Sequence, residues 1–101
     1  MDTDKVEAAR TLLKNVVDPE LGLDIVNLGL IYELVVEDNK AYIEITFTTM
    51  GCPVAGHITN QIYEVLEPLA LDDIKVDITF DPPWSPMMMS PEAKQRMGWR
   101  G

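Results

Sequence analysis

Cys52 is the only cysteine of the chain, and it stands in Thr48-Thr49-Met50-Gly51-Cys52-Pro53, where strand-like alternation gives way to helical periodicity. Proline just after a turn suits the first helical position, since its missing N–H would have no intrahelical partner there and its fixed φ already fits a helix. The spacing therefore predicts Cys52 at the N-cap. Unpaired backbone N–H groups and the positive end of the helix dipole would face its sulfur, and both favour thiolate over thiol. A thiolate at neutral pH can ligate a soft metal or attack an electrophile. The competing reading is a small buried hydrophobe, the usual condition of a free cysteine in a core.

Other reactive types are sparse. Thr48 and Thr49 end the preceding strand and could present hydroxyls beside the sulfur, or simply fill strand positions as β-branched residues do. Asp18 and Glu20 bracket Pro19, which fits either a turn cap with a solvated neighbour or a pair of working carboxylates. His57 is the only histidine. Five positions after Cys52 it is turned about 140° around a helix, badly placed as a base for the thiol. A zinc or complete iron–sulfur site needs about four soft or borderline ligands. One thiol and one misaligned imidazole cannot supply them, so a monomer is expected to hold no cofactor tightly. Any cluster or iron bound at Cys52 would be transient, shared with a partner, a second subunit or a small thiol. Met87, Met88 and Met89 form either a thioether set for copper(I) or an adaptable apolar surface, and Trp84 among prolines is either an interface anchor or a core-closing side chain. Lone Gly29 and Gly56 match no phosphate-binding loop.

The elements that would position these groups follow from periodicity. Val6, Ala9, Leu13, Val16 and Val17 recur at helical spacing, with Asp4 and Glu7 at the start, which predicts a first helix ending before Pro19. Asp18-Pro19-Glu20-Leu21-Gly22 is turn-rich. Leu30 to Glu37 and Ala41 to Thr48 alternate around Asp38-Asn39, which predicts a hairpin. A second helix starts at Pro53 with Val54, Ile58, Ile62, Val65, Leu66 and Leu69 on one stripe, stopped or bent by Pro68. Ile74, Val76, Ile78 and Phe80 alternate as a third strand. A stiff loop, Asp81 to Pro86, precedes the methionines, and Ser90-Pro91-Glu92 opens a short helix that Gly98 ends. The order αββαβ(α) predicts one α+β domain over residues 1–101, a two-layer sandwich with the main helices on one face of a small, mostly antiparallel sheet.

Seventeen acidic against eight basic side chains give a formal net charge of −9. Phosphate backbones and anionic membranes would be repelled, so no nucleic-acid or membrane partner is expected; the basic tail Lys94, Arg96, Arg100 reads as a solvated end. The start has neither the charge nor the apolar stretch of a signal peptide, and no apolar run approaches a membrane span. With a single thiol, these features predict a cytoplasmic protein whose cysteine stays reduced.

Four blocks, taken together, are similar to a known family. Asp18-Pro19-Glu20-Leu21-Gly22, Ile25-Val26-Asn27-Leu28-Gly29-Leu30-Ile31-Tyr32, Thr48-Thr49-Met50-Gly51-Cys52-Pro53, and Pro82-Pro83-Trp84-Ser85-Pro86 with Met89-Ser90 resemble, in order, the small iron–sulfur cluster assembly domain of SufT-type and PaaD-type proteins. The resemblance implies a non-catalytic accessory factor in iron–sulfur protein maturation, working with assembly machinery or client proteins. It implies that Cys52 is the functional thiol and that Asp18, Glu20, Thr48 and Thr49 gather near it. Asn27 stands where that family commonly has aspartate, so no charged role is carried onto it. The Trp84-to-Met89 loop is expected to help dock a client, and a homodimer could bring two sulfurs together. The rival readings are an enzyme using Cys52 as nucleophile with Asp18 or Glu20 as proton acceptor, and a metal-free interaction module in which Cys52 only packs.

Overall fold

The computed structural model describes residues 3–19, 21–47, 55–96 and 98. Helix α1 (Thr3–Leu13) buries Val6, Ala9 and Leu13 at three-to-four spacing and carries Asp4 in its first turn, where a carboxylate complements the dipole. It ends earlier than the periodicity predicts. Backbone bonds from Lys14 to Thr11, Asn15 to Leu12 and Val16 to Leu13 tighten the last turn, and the chain then straightens. Val16 is buried outside the helix, with its carbonyl accepting from Ile25 N–H, while Val17 is exposed and opens strand β1 (Val17–Asp18). This strand pairs antiparallel with β2 (Leu23–Asp24), opposite Asp24 and Leu23 in turn.

Strands β3 (Ile31–Glu37) and β4 (Lys40–Ile45) form the expected hairpin. Its turn residues Asp38 and Asn39 both have positive φ, 51° and 60°, the conformation that matches a two-residue turn to the twist of its strands. Asn39 also fastens the turn to its surroundings: its Oδ1 accepts from Lys5 Nζ at 2.7 Å and its Nδ2 donates to the Ala70 carbonyl at 3.2 Å. Helix α2, described over Ala55–Leu66, buries Ile58, Ile62 and Leu66; a 3₁₀ turn over Glu67–Leu69 then brings the chain to β5 (Asp73–Ile78). Pro68 accordingly ends the helix with a tight turn rather than bending a longer one.

The sheet order is β3-β4-β5. Strand β5 runs parallel to β4, which the crossover through α2 allows, so among the described residues two strand pairings are antiparallel and one is parallel. Cross-strand partners on the inner face are Leu34–Ile43–Val76 and Val36–Ala41–Ile74, and they join the buried residues of α1 and α2 in one core. Ile78, in the same alternating set as Ile74 and Val76, is 48% exposed at the strand end, and Phe80 meets Phe47 at a ring separation of 6.4 Å. A last helix, α3 (Pro91–Arg96), inserts Ala93 into the core. The fold is thus α+β, and among the described residues three helices accompany two small sheets.

Candidate functional site

Asp18 is a buried acid, only 2% exposed, at the end of β1. Its Oδ1 accepts from Leu21 N–H at 3.3 Å and its carbonyl from Gly22 N–H at 2.8 Å, so side chain and backbone together close the turn around Pro19. Gly22 provides the positive φ, 70°, that this return needs. The turn-cap reading of Asp18 is therefore realised, and its burial distinguishes it from an ordinary surface cap. Glu20 lies outside the described residues.

The strand-to-helix junction that carries the cysteine is framed on both sides. Strand β4 runs up to Ile45, Thr46 and Phe47 follow as fully buried residues, and helix α2 is in place from Ala55. Thr48, Thr49 and Cys52 themselves, with Pro53 and Val54, fall outside the described residues. Thr46 N–H donates to the Leu30 carbonyl at 2.8 Å, which ties the junction to the Ile25-to-Tyr32 block. Its hydroxyl is completely buried and has no hydrogen-bond partner among the described residues. His57 is exposed on α2, 3.0 Å from Gln61 Nε2, one helical turn on.

Two of the sequence blocks meet in space. The segment from Asp81 to Ser90 lies as a strap over residues 27–32. Trp84 Nε1 donates to the Leu28 carbonyl at 2.7 Å, and Tyr32 Oη donates to the Pro82 carbonyl at 2.8 Å and lies 3.4 Å from Met88 Sδ. Ser90 N–H donates to the Asn27 carbonyl and Ser90 Oγ to Asn27 Oδ1, each at 2.8 Å. The same Oγ accepts from Ala93 N–H at 3.1 Å and so caps α3. Asn27 in turn donates through Nδ2 to Asp24 Oδ1 at 2.6 Å. Its amide thus acts as donor and acceptor at once, which an aspartate could not do when ionised. Gly29, at φ 77°, has no room for a Cβ because the Met88 carbonyl occupies that space.

Of the four residues expected to dock a client, only Met87 and Met88 are well exposed, at 69% and 37%. Met89 is buried in the core, and Trp84 is half-buried with its N–H committed to the fold, so these two hold the strap down. Sequence reasoning does not reach Asn27, Tyr32 and Ser90 as strap ties, because their bonds span up to 63 positions and leave no local pattern. Among the described residues no three histidine, cysteine or acidic side chains are grouped to hold a metal ion. No helix among them is long and apolar enough to cross a membrane.

This arrangement coincides with a known family. The sequence matches the family described as "Iron-sulfur cluster assembly protein" over residues 6–78, and the chain belongs to that family. It is 45% identical to the "Fe-S protein maturation auxiliary factor SufT" of Staphylococcus aureus, covering 82% of this chain and 97% of the relative. It is 46% identical to the "Fe-S protein maturation auxiliary factor YitW" of Bacillus subtilis, covering 85% of this chain and 86% of the relative. Among solved structures it resembles a domain of unknown function from Bacillus anthracis, with a TM-score of 0.90 and 40% identity over 97% of this chain and 95% of that one.

Proposed function

We propose that the chain is a non-enzymatic auxiliary factor in the maturation of iron–sulfur proteins, and that Cys52 is its working thiol. The observation that carries this reading is the 45% identity along 97% of a relative named as such a factor. The N-cap position that the sequence predicts for Cys52, ahead of a helix present from Ala55, supports the second half, because a helix start stabilises a thiolate. With one cysteine and one histidine in the sequence, the chain's own donors do not fit a resident cluster. Iron or a cluster is cargo in this reading, held in passing by Cys52 together with ligands from a partner, a second copy or a small thiol. Partners are then assembly proteins or iron–sulfur clients.

A strain lacking the gene, complemented with wild type or with Cys52→Ser, tests this. Activities of iron–sulfur enzymes should fall on deletion and return with the wild type but not with the variant, while circular dichroism of purified Cys52→Ser stays native. Full rescue by the variant would remove the thiol from the mechanism. Anaerobic iron and sulfide reconstitution, followed by a visible spectrum and a native mass, should give a cluster only in a dimer or with added thiol.

A further inference from the structure

The outer face of the sheet is arranged unfavourably for stability. Glu33 on β3 lies directly opposite Glu44 on β4, and Glu44 directly opposite Asp77 on β5, so three carboxylates form one row across all three strands. Like charges facing each other across strands destabilise a sheet. The bases of this face, Lys40 and Lys75, lie toward the hairpin turn; Lys75 reaches Asp77 only at 4.0 Å. At the other end the row runs into a cleft of about 640 Å³ whose lining includes Ile31, Tyr32, Glu44, Asp81, Pro82 and Met88. Among the described residues its lining mixes apolar groups with two carboxylates and includes no basic side chain. Its size falls within the ordinary range for binding sites, about 300–1,000 Å³. Exposed Met88 lines it with the flexible apolar surface that adapts to varied contacts.

We infer that the Glu33–Glu44–Asp77 row and the adjoining cleft form a docking face for a basic segment of a protein partner, an arginine or lysine flanked by apolar residues. The cationic group would sit among Glu44, Asp81 and the row, relieving its repulsion, and the apolar flanks against Ile31, Pro82 and Met88. The negative field is felt within the face: partial burial of the ring and the carboxylates of Asp77, Glu44 and Glu33 push the Tyr42 phenol up to about 12, and Tyr42 Oη donates to Glu44 Oε2 at 3.4 Å. The inference rests on the proposed function only in requiring a protein partner, and it does not involve Cys52.

The test uses the full chain and a fluorescent hexapeptide of alternating leucine and arginine, with a leucine–glutamate peptide as control, in anisotropy titrations. The arginine peptide should bind and the glutamate peptide should not. The triple variant Glu33→Gln, Glu44→Gln, Asp77→Asn should weaken binding by about tenfold, as loss of complementary charge does. A control triple on exposed helical positions, Glu7→Gln, Glu64→Gln, Glu67→Gln, removes the same charge and should weaken it by less than about twofold. The sheet triple should also melt higher than wild type, since it removes facing like charges, and Cys52→Ser should bind as wild type does. Equal weakening by both triples would assign the binding to net charge and overturn the docking face, as would no binding of the arginine peptide. Should the sheet triple fold poorly, Glu44→Gln alone is the variant to read, and unchanged affinity there overturns the proposal as well.

Discussion

At the level of single residues, two side chains depart from ordinary behaviour. Thr46 buries a hydroxyl with no partner among the described residues, a loss of hydration that costs about 1–3 kcal/mol. Thr46→Val keeps the shape and removes the unsatisfied group, so stability in urea should rise by about 1 kcal/mol. A fall of that size would mean the hydroxyl makes a bond after all. Tyr42 has its phenol pushed up to about 12 by partial burial, Asp77, Glu44 and Glu33. An unfolded tyrosine loses its proton near pH 10. Between those values the unfolded chain is ionised at this position and the folded one is not, so the folded state binds more protons and stability falls as pH rises. Tyr42→Phe should flatten the decline of stability between about pH 10 and 12. Spectrophotometric titration should show one of the three tyrosines titrating late, and that component should vanish in the variant.

At the level of elements, the strap over residues 27–32 joins distant parts of the chain. Gly29 combines a positive φ with backbone contact to Met88, whereas Gly22, at φ 70°, has open space where a Cβ would go. Gly22→Ala should therefore cost about 1 kcal/mol of backbone strain, and Gly29→Ala clearly more, because the Met88 carbonyl must also move. Thermal denaturation gives the difference, and a shift in the fluorescence of half-buried Trp84 would localise it to the strap. Equal costs at the two glycines would show that the strap yields freely. The long elements were legible from sequence because each carries several periods: Val6, Ala9 and Leu13 in α1, Ala41, Ile43 and Ile45 in β4, Ile58, Ile62 and Leu66 in α2. Two-residue strands such as β1 and β2 carry no period, and the spacing of Val16 and Val17 happens to continue that of the helix before them. Alternation alone groups Ile78 with Ile74 and Val76, but it does not record that a strand end outruns its cover.

At the level of the whole molecule, part of the site was legible and part was not, for a common physical reason. The Asp18 turn is local, and its residue types announced it. The tie of Trp84 to Leu28 and the row of Glu33, Glu44 and Asp77 are products of tertiary pairing, and their residue types are unremarkable where they stand in the sequence. Composition, by contrast, acts on the molecule as a unit. A formal net charge of −9 makes the compact state repel itself more than the expanded chain does. Raising sodium chloride from about 0.01 M to about 0.1 M shortens the screening length from roughly 30 Å to roughly 10 Å. That change spans the dimensions of a domain whose radius of gyration is 13.4 Å. The melting temperature should therefore rise with salt over this range, by a few degrees if screening recovers about 0.5–1 kcal/mol. The variant with Glu33, Glu44 and Asp77 neutralised should show a smaller rise than the variant neutralised on the helices, because its facing charges were the closest to screen. A melting temperature that falls with salt would mean attractive pairs outweigh the acidic excess.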